Sequence, residues 1–226
     1  MHVFSYSTMI NKSTLTFLKK LKKNNHRDWF HANRESYAVA SADFRAFIAL
    51  LLVEFTKMNP KLEGLPLKDL VFRINRDVRF SANKAPYKTN FGAYLAQGGK
   101  KAGRAGFYIQ VEPGNSFIAG GCWMPPAPQL KSIRQEIDYN LDDFNSILGG
   151  KSFKKQFGEL SDCRLKTNPK GYDKSNPAIN HLRQTSFIVE QVLEDDDLLA
   201  PSLTKQCVSA YQAMLPFLEF LNRSDD

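Results

Sequence analysis

Apolar residues near the start of the chain recur at helical spacing. Leu15, Phe17, Leu18 and Leu21 share one side of a segment that Asn11 or Ser13 can cap. Lys19, Lys20, Lys22 and Lys23 occupy its outer side, and Asn24-Asn25 stops it. A second helical region runs from about Arg27 to Met58. Its later half places Phe44, Phe47, Ile48, Leu51, Leu52 and Phe55 at i, i+3, i+4, i+7, i+8 and i+11, the stripe of a helix facing a core. Asn59-Pro60 ends it, and Gly64 and Pro66 mark a loop.

From Leu70 the period shifts towards two. Val71–Asn75 reads as a short strand and Ser81–Lys88 as an irregular loop. Phe91–Ala96 and Gly106–Glu112 read as strands. Pro113-Gly114-Asn115 turns the chain into Ser116–Cys122, the returning strand of a hairpin. Between them Gln97–Ala105, with Gly98, Gly99 and Gly103, predicts a mobile basic loop, and Gly120-Gly121 suits a bulge or a close backbone approach near Trp123.

Pro125, Pro126 and Pro128 introduce a helix that turns Leu130, Ile133, Ile137 and Leu141 inward. Asp142–Leu148 and Ser152–Phe157 follow as short helices, and residues 161–178 as loop. A helical turn at His181–Gln184 precedes a strand at Ser186–Leu193. Glu194–Asp197 reads as the first turn of the last helix, where carboxylates suit the helix dipole; Pro201 fits that turn, and Pro216 predicts a kink before Leu218–Leu221. The pattern is α+β: a single domain over residues 1–226, with a central, mostly antiparallel sheet packed by N- and C-terminal helices.

Composition narrows the class. Among 226 residues, 42% are hydrophobic, and seventeen Phe and eight Tyr can build a sizeable core. No apolar run reaches the roughly 18–20 residues that span a bilayer. The first dozen residues lack a charged start followed by an apolar block, so a cytoplasmic location without membrane association is expected. Cys122, Cys163 and Cys207 are too few and too far apart for a disulfide framework or a zinc site and read as buried thiols. His2, His26, His31 and His181 fit no metal-binding spacing. No metal and no cofactor is expected.

Charge changes the picture most. Residues 72–104 hold Arg73, Arg76, Arg79, Lys84, Lys88, Lys100, Lys101 and Arg104 against Asp77 alone, which makes that stretch +7 in a chain of net charge +8. A cationic excess with Phe, Tyr and Asn between the charges points to a place where something anionic sits. Asp77 either pairs with Arg76 or Arg79 in a structural network, or orients one guanidinium while others grip phosphate or carboxylate. Lys84, Tyr87 and Lys88 add two ammonium groups and a phenol, on a loop that Pro86 stiffens. Lys166, Lys170 and Tyr172, followed by Arg183, form a second basic-aromatic cluster; spacing alone leaves open whether it converges with the first. Asn24–Phe30 reads as a helix junction with Trp29 and Phe30 packed; alternatively Trp29 or His26 meets a ligand beside the arginines. Gly120-Gly121-Cys122-Trp123 reads as a tight turn with a packed indole and lacks the arrangement of a nucleotide loop.

The runs Asn24-Asn25-His26-Arg27-Asp28-Trp29-Phe30, Phe72-Arg73-Ile74-Asn75-Arg76-Asp77-Val78-Arg79-Phe80-Ser81, Lys84-Ala85-Pro86-Tyr87-Lys88-Thr89, Gly106-Phe107-Tyr108, Gly120-Gly121-Cys122-Trp123 and Pro169-Lys170-Gly171-Tyr172 together resemble a widespread microbial family. It is the conserved hypothetical group called domain of unknown function 2461. The resemblance covers about residues 14–222, with small departures at Asn75 and Cys122. It implies a single α+β domain and carries over no catalytic roles.

Three functional readings follow. The first is a basic cleft that binds a phosphate-bearing or other anionic ligand: a nucleotide, a phosphorylated metabolite or a nucleic-acid backbone. Its candidate ligand-binding residues are Arg73, Arg76, Arg79, Lys84, Tyr87, Lys88, Lys170, Tyr172 and Trp29. The second is an enzyme on a phosphate ester or similar substrate, with Asp77, His26 or Tyr87 as acid or base; catalytic residues are otherwise unassigned. The third is an interaction module that docks an acidic partner on a flat charged face. Oligomeric state is not legible.

Overall fold

The structure, a computed structural model, describes residues 8–223; residues 1–7, with His2, and residues 224–226 lie outside the described part. Helix α1 (Lys12–Lys23) buries Leu15, Phe17, Leu18 and Leu21 and leaves its lysines in solvent. The next helical region divides into α2 (Arg27–Ala32) and α3 (Arg34–Thr56). Asn33 breaks it: the backbone leaves helical geometry there (φ −114°, ψ 24°), and the side-chain amide donates to the Trp29 carbonyl at 2.8 Å. The cap of α2 is His26, whose Nδ1 accepts from the Trp29 amide at 3.4 Å, while Asp28 lies in the first turn. Helix α3 buries Phe44, Phe47, Ile48, Leu51 and Phe55 as its spacing requires. A 3-10 turn at Pro60–Leu62 and the one-turn α4 (Leu67–Leu70) lead to the sheet.

Strands β1 (Phe91–Leu95), β2 (Gly106–Val111), β3 (Ser116–Cys122) and β4 (Phe187–Leu193) stand side by side in chain order, each antiparallel to the next. Between β3 and β4 the chain forms α5 (Ala127–Tyr139), α6 (Leu141–Gly149), α7 (Lys151–Phe157) and α8 (Ile179–Leu182). The acidic run makes its own one-turn helix, α9 (Asp195–Leu198). Glu194 and Asp197 close a capping box there, so α10 (Leu203–Asn222) starts later than the sequence suggests and continues through Pro216.

Alternation along the strands gives the sheet two unlike faces. Phe91, Ala93, Leu95, Phe107, Ile109, Val111, Ile118 and Val189 are buried on the side covered by α3 and α10. There Phe55 meets the Phe107 ring edge-on at 4.8 Å and stacks on Tyr211 at 3.9 Å. Gly120 admits the Met214 thioether, where a Cβ would stand 2.2 Å from its sulfur. One apolar cluster thus joins Leu18, Phe47, Ile109, Phe217 and Leu221 from both ends of the chain, and the architecture is α+β. Cys122 and Cys207 are buried free thiols and Cys163 is half-buried. No helix among the described residues is long and apolar enough to cross a membrane.

The segment before β1 is a ribbon rather than a full strand. Val71 bridges Ala93, Asn75 bridges Tyr87, and the Arg76 amide donates to the Pro86 carbonyl at 2.9 Å. Pro86 has no amide proton to return, which interrupts the ladder. The glycine-rich stretch 97–105 is tied down: the Lys100 amide donates to the Asp69 carbonyl at 2.9 Å, and the Asn222 side chain brackets the Ala105 backbone at 2.8 and 3.0 Å.

Candidate functional site

The other face of the sheet carries a hollow of about 540 Å³. It exists because small residues alternate with large ones at the outward positions. Gly106, Ala119 and Gly121 leave its floor low, and Phe72, Tyr94, Tyr108, Phe117, Trp123 and Ile188 stand around it. Gly106 is required: a Cβ there would lie 2.6 Å from Ala96 Cβ and 2.7 Å from the Leu95 carbonyl oxygen. The rings lean on one another, Phe72 on Tyr108 at 6.2 Å and Tyr108 on Phe117 at 5.7 Å. Trp123 has no ring partner among the described residues and is 64% exposed. Its backbone is held by the next residue, whose amide donates to Ser186 Oγ at 2.9 Å.

The hollow is electrically polarised. On the β1 side, the ammonium groups of Lys88 and Lys100 lie over the Phe72 ring at 5.1 and 6.0 Å from its centre. Burial pulls both below the ordinary lysine value, and for Lys88 the Arg73 guanidinium adds to the effect. Arg104 also lines the hollow. At the β4 side stands Glu190, paired in register with Ala119 and without a hydrogen bond or ion pair among the described residues. Between them the phenols stay protonated. Burial, with Glu112 nearby, pushes Tyr108 up to about 12, and burial likewise raises Tyr94, whose hydroxyl donates to the carbonyls of Arg104 and Gly121 at 2.8 and 3.0 Å.

The residues singled out from sequence divide into groups. Lys88 borders the hollow, and Arg73 is close enough to Lys88 to depress its pKa. Arg79 is locked to Asp77 by two contacts, Nε–Oδ1 at 3.0 Å and Nη2–Oδ2 at 2.6 Å; this hydrogen bonding holds the Asp77 carboxyl below its usual range. Arg76 donates to the Ala85 carbonyl at 3.1 Å and Lys84 to the Val78 carbonyl at 3.1 Å, so both stitch their own loop. Tyr87 is buried and stacked on Phe30 at 3.9 Å, and Trp29 packs at 6.1 Å from Phe17 in the helical layer.

Lys170 and Tyr172 lie elsewhere. Their loop is joined to the β4 edge, where the Ser161 amide donates to the Ile188 carbonyl at 2.8 Å and Thr185 to Cys163 at 2.7 Å. The first cluster flanks β1, so the two clusters border opposite edges of the sheet. A second, smaller hollow of about 350 Å³ lies beside that loop, lined by Lys154, Glu159, Arg164 and His181. His181 is hydrogen-bonded to Asn145 at 3.0 Å, and burial, then Arg164, lowers its pKa.

Sequence reasoning missed the sheet face itself. Its signal lay in alternation: the outward sets Gly92/Tyr94, Gly106/Tyr108 and Phe117/Ala119 are aromatic or small where a solvated face is polar, and Ile188 continues them on β4 beside the charged Glu190. Trp123, expected to pack, projects into the hollow instead.

No curated protein and no solved structure matches this chain. A family described as conserved hypothetical protein, DUF2461, matches residues 13–220, nearly the whole chain. The chain therefore belongs to the DUF2461 family.

Proposed function

We propose that the open face of the sheet binds a phosphate-bearing ligand with a flat base, a ligand of nucleotide type, in a cytoplasmic setting. One observation carries this reading: a single hollow combines stacking surfaces with cations at one end. Phe72 and Trp123 offer faces to a base, and Lys88 and Lys100 offer charge to a phosphate. Lys88 has lost hydration, faces Arg73, and has no carboxylate partner among the described residues. An arriving phosphate supplies the missing counter-charge. Arg76, Arg79 and Lys84 act by shaping the loop that presents Arg73 and Lys88. In this reading Trp29, Tyr87, Lys170 and Tyr172 make no direct contact.

Binding is favoured over catalysis because the hollow offers one carboxylate, Glu190, and no histidine. Concavity favours a ligand over a flat docking surface for an acidic partner. The test uses the chain's two tryptophans. In a Trp29→Phe background, Trp123 emission is expected to quench saturably with adenosine and cytidine monophosphates and to respond little to ribose 5-phosphate, which has no base. Quenching that survives Lys88→Ala and Lys100→Ala together contradicts the proposal.

A further inference from the structure

We infer that the occupant is a single strand of nucleic acid laid across the β-strands, an inference that rests on the nucleotide reading above. The first ground is length. From Glu190 the registers step through Ala119, Tyr108 and Tyr94 to the Phe72 ribbon, whose amide donates to the Gly92 carbonyl at 2.9 Å. Four steps of about 4.8 Å make a track of about 19 Å. A stacked strand advances about 3.4 Å per nucleotide, so the track holds about five nucleotides where a mononucleotide covers one end.

The second ground is the distribution of stacking surfaces. Phe72 lies at the β1 edge and Trp123 follows the end of β3, so neither platform serves the other's base. Apolar surface continues past the hollow, with Val192 at 71% exposure on the outer face of β4. The third ground is charge complementarity. The segment that builds the β1 side, residues 72–104, is +7, and it sets Lys88 and Lys100 over Phe72 at the margin of the track with Arg73 near Lys88, more charge than one phosphate group requires. Glu190 ends the track opposite the cations, where a carboxylate accepts from the amino group of a base.

The experiment measures anisotropy of a labelled single-stranded oligomer of about ten nucleotides containing C and A, as DNA and as RNA, at several salt concentrations. The oligomer is expected to bind at least about tenfold tighter than cytidine monophosphate. Its log affinity should fall with log salt by about 0.7 for each phosphate contacted, and Lys88→Ala should reduce that slope by about 0.7. Trp123→Ala should weaken binding about 5- to 150-fold with an unchanged melting temperature. A mononucleotide that binds as tightly as the oligomer overturns the strand and spares the nucleotide reading; failure of both probes ends both. Equal affinity for the matching duplex, or for a polyglutamate peptide, also overturns the inference, because either reduces the attraction to charge alone.

Discussion

Phe72 meets two ammonium groups on its ring face while its edge leans on Tyr108, and this small assembly couples the basic segment to the aromatic floor. Its pH behaviour has a definite sign. Lys88 titrates below the ordinary value of 10.5 in the folded chain, because burial and Arg73 disfavour its charge. Between the lowered value and 10.5 the unfolded chain holds more protons, so this group makes the fold more stable as pH rises. Ligand binding requires the charged form and should decline over the same alkaline interval. Affinity and melting temperature measured across it should therefore move in opposite directions, and Lys88→Met should remove that component from both.

Glu190→Gln should leave stability within about 0.5 kcal/mol, since the residue is exposed and unpaired. It should also flatten the preference for C- or A-containing ligands over T, measured by competition, because an amide donates as well as accepts. Gly121→Ala tests the fold instead. At φ +126° a Cβ would stand 1.9 Å from the Phe187 carbonyl oxygen, so chemical denaturation should show a loss of at least about 3 kcal/mol. Among single residues, the charges were legible in sequence and the Asp77–Arg79 pair was one of the two readings of Asp77, whereas the ring beneath Lys88 was not legible. Arg79 and Lys88 read alike along the chain, yet one is locked to Asp77 and the other faces a ring.

The ribbon from Val71 to Asn90 is held from the helical layer by one side chain. Asn25 Nδ2 donates to the Tyr87 carbonyl at 2.9 Å, and Asn25 Oδ1 accepts from the Tyr87 amide at 3.1 Å, while Phe30 stacks on the Tyr87 ring. Asn25→Ala leaves both backbone groups of a buried residue unpaired. It should lower stability by about 1–3 kcal/mol, speed amide exchange across residues 74–88, and weaken binding through Lys88 without touching ligand.

The strands were legible because period-two alternation, Gly/Pro punctuation and the Pro113-Gly114-Asn115 turn agree with one another. The break at Asn33 and the separate acidic turn at α9 were not. Each depends on a side chain bonding to nearby backbone, a local competition that apolar periodicity does not register. The loop 97–105 looked mobile because its anchors, Asp69 and Asn222, come from distant parts of the chain.

Helices from both ends of the chain cover one side of a four-stranded sheet, and the opposite side keeps an aromatic hollow. That asymmetry follows from packing: most inward positions carry aliphatic or aromatic side chains buried under α3 and α10, and the outward floor of Gly106, Ala119 and Gly121 lies low between its rings. The basic segment found in sequence forms only one margin of the site, since β-pairing, invisible in spacing, sends the 73–88 and 166–183 clusters to opposite edges. The most direct measurement is a chemical-shift map of the full chain titrated with the C- and A-containing oligomer. Shifts should concentrate on Phe72, Tyr108, Ala119, Gly121, Trp123 and Ile188. Shifts confined to the lysines of α1, or to Arg164 and His181 at the smaller hollow, would contradict the account.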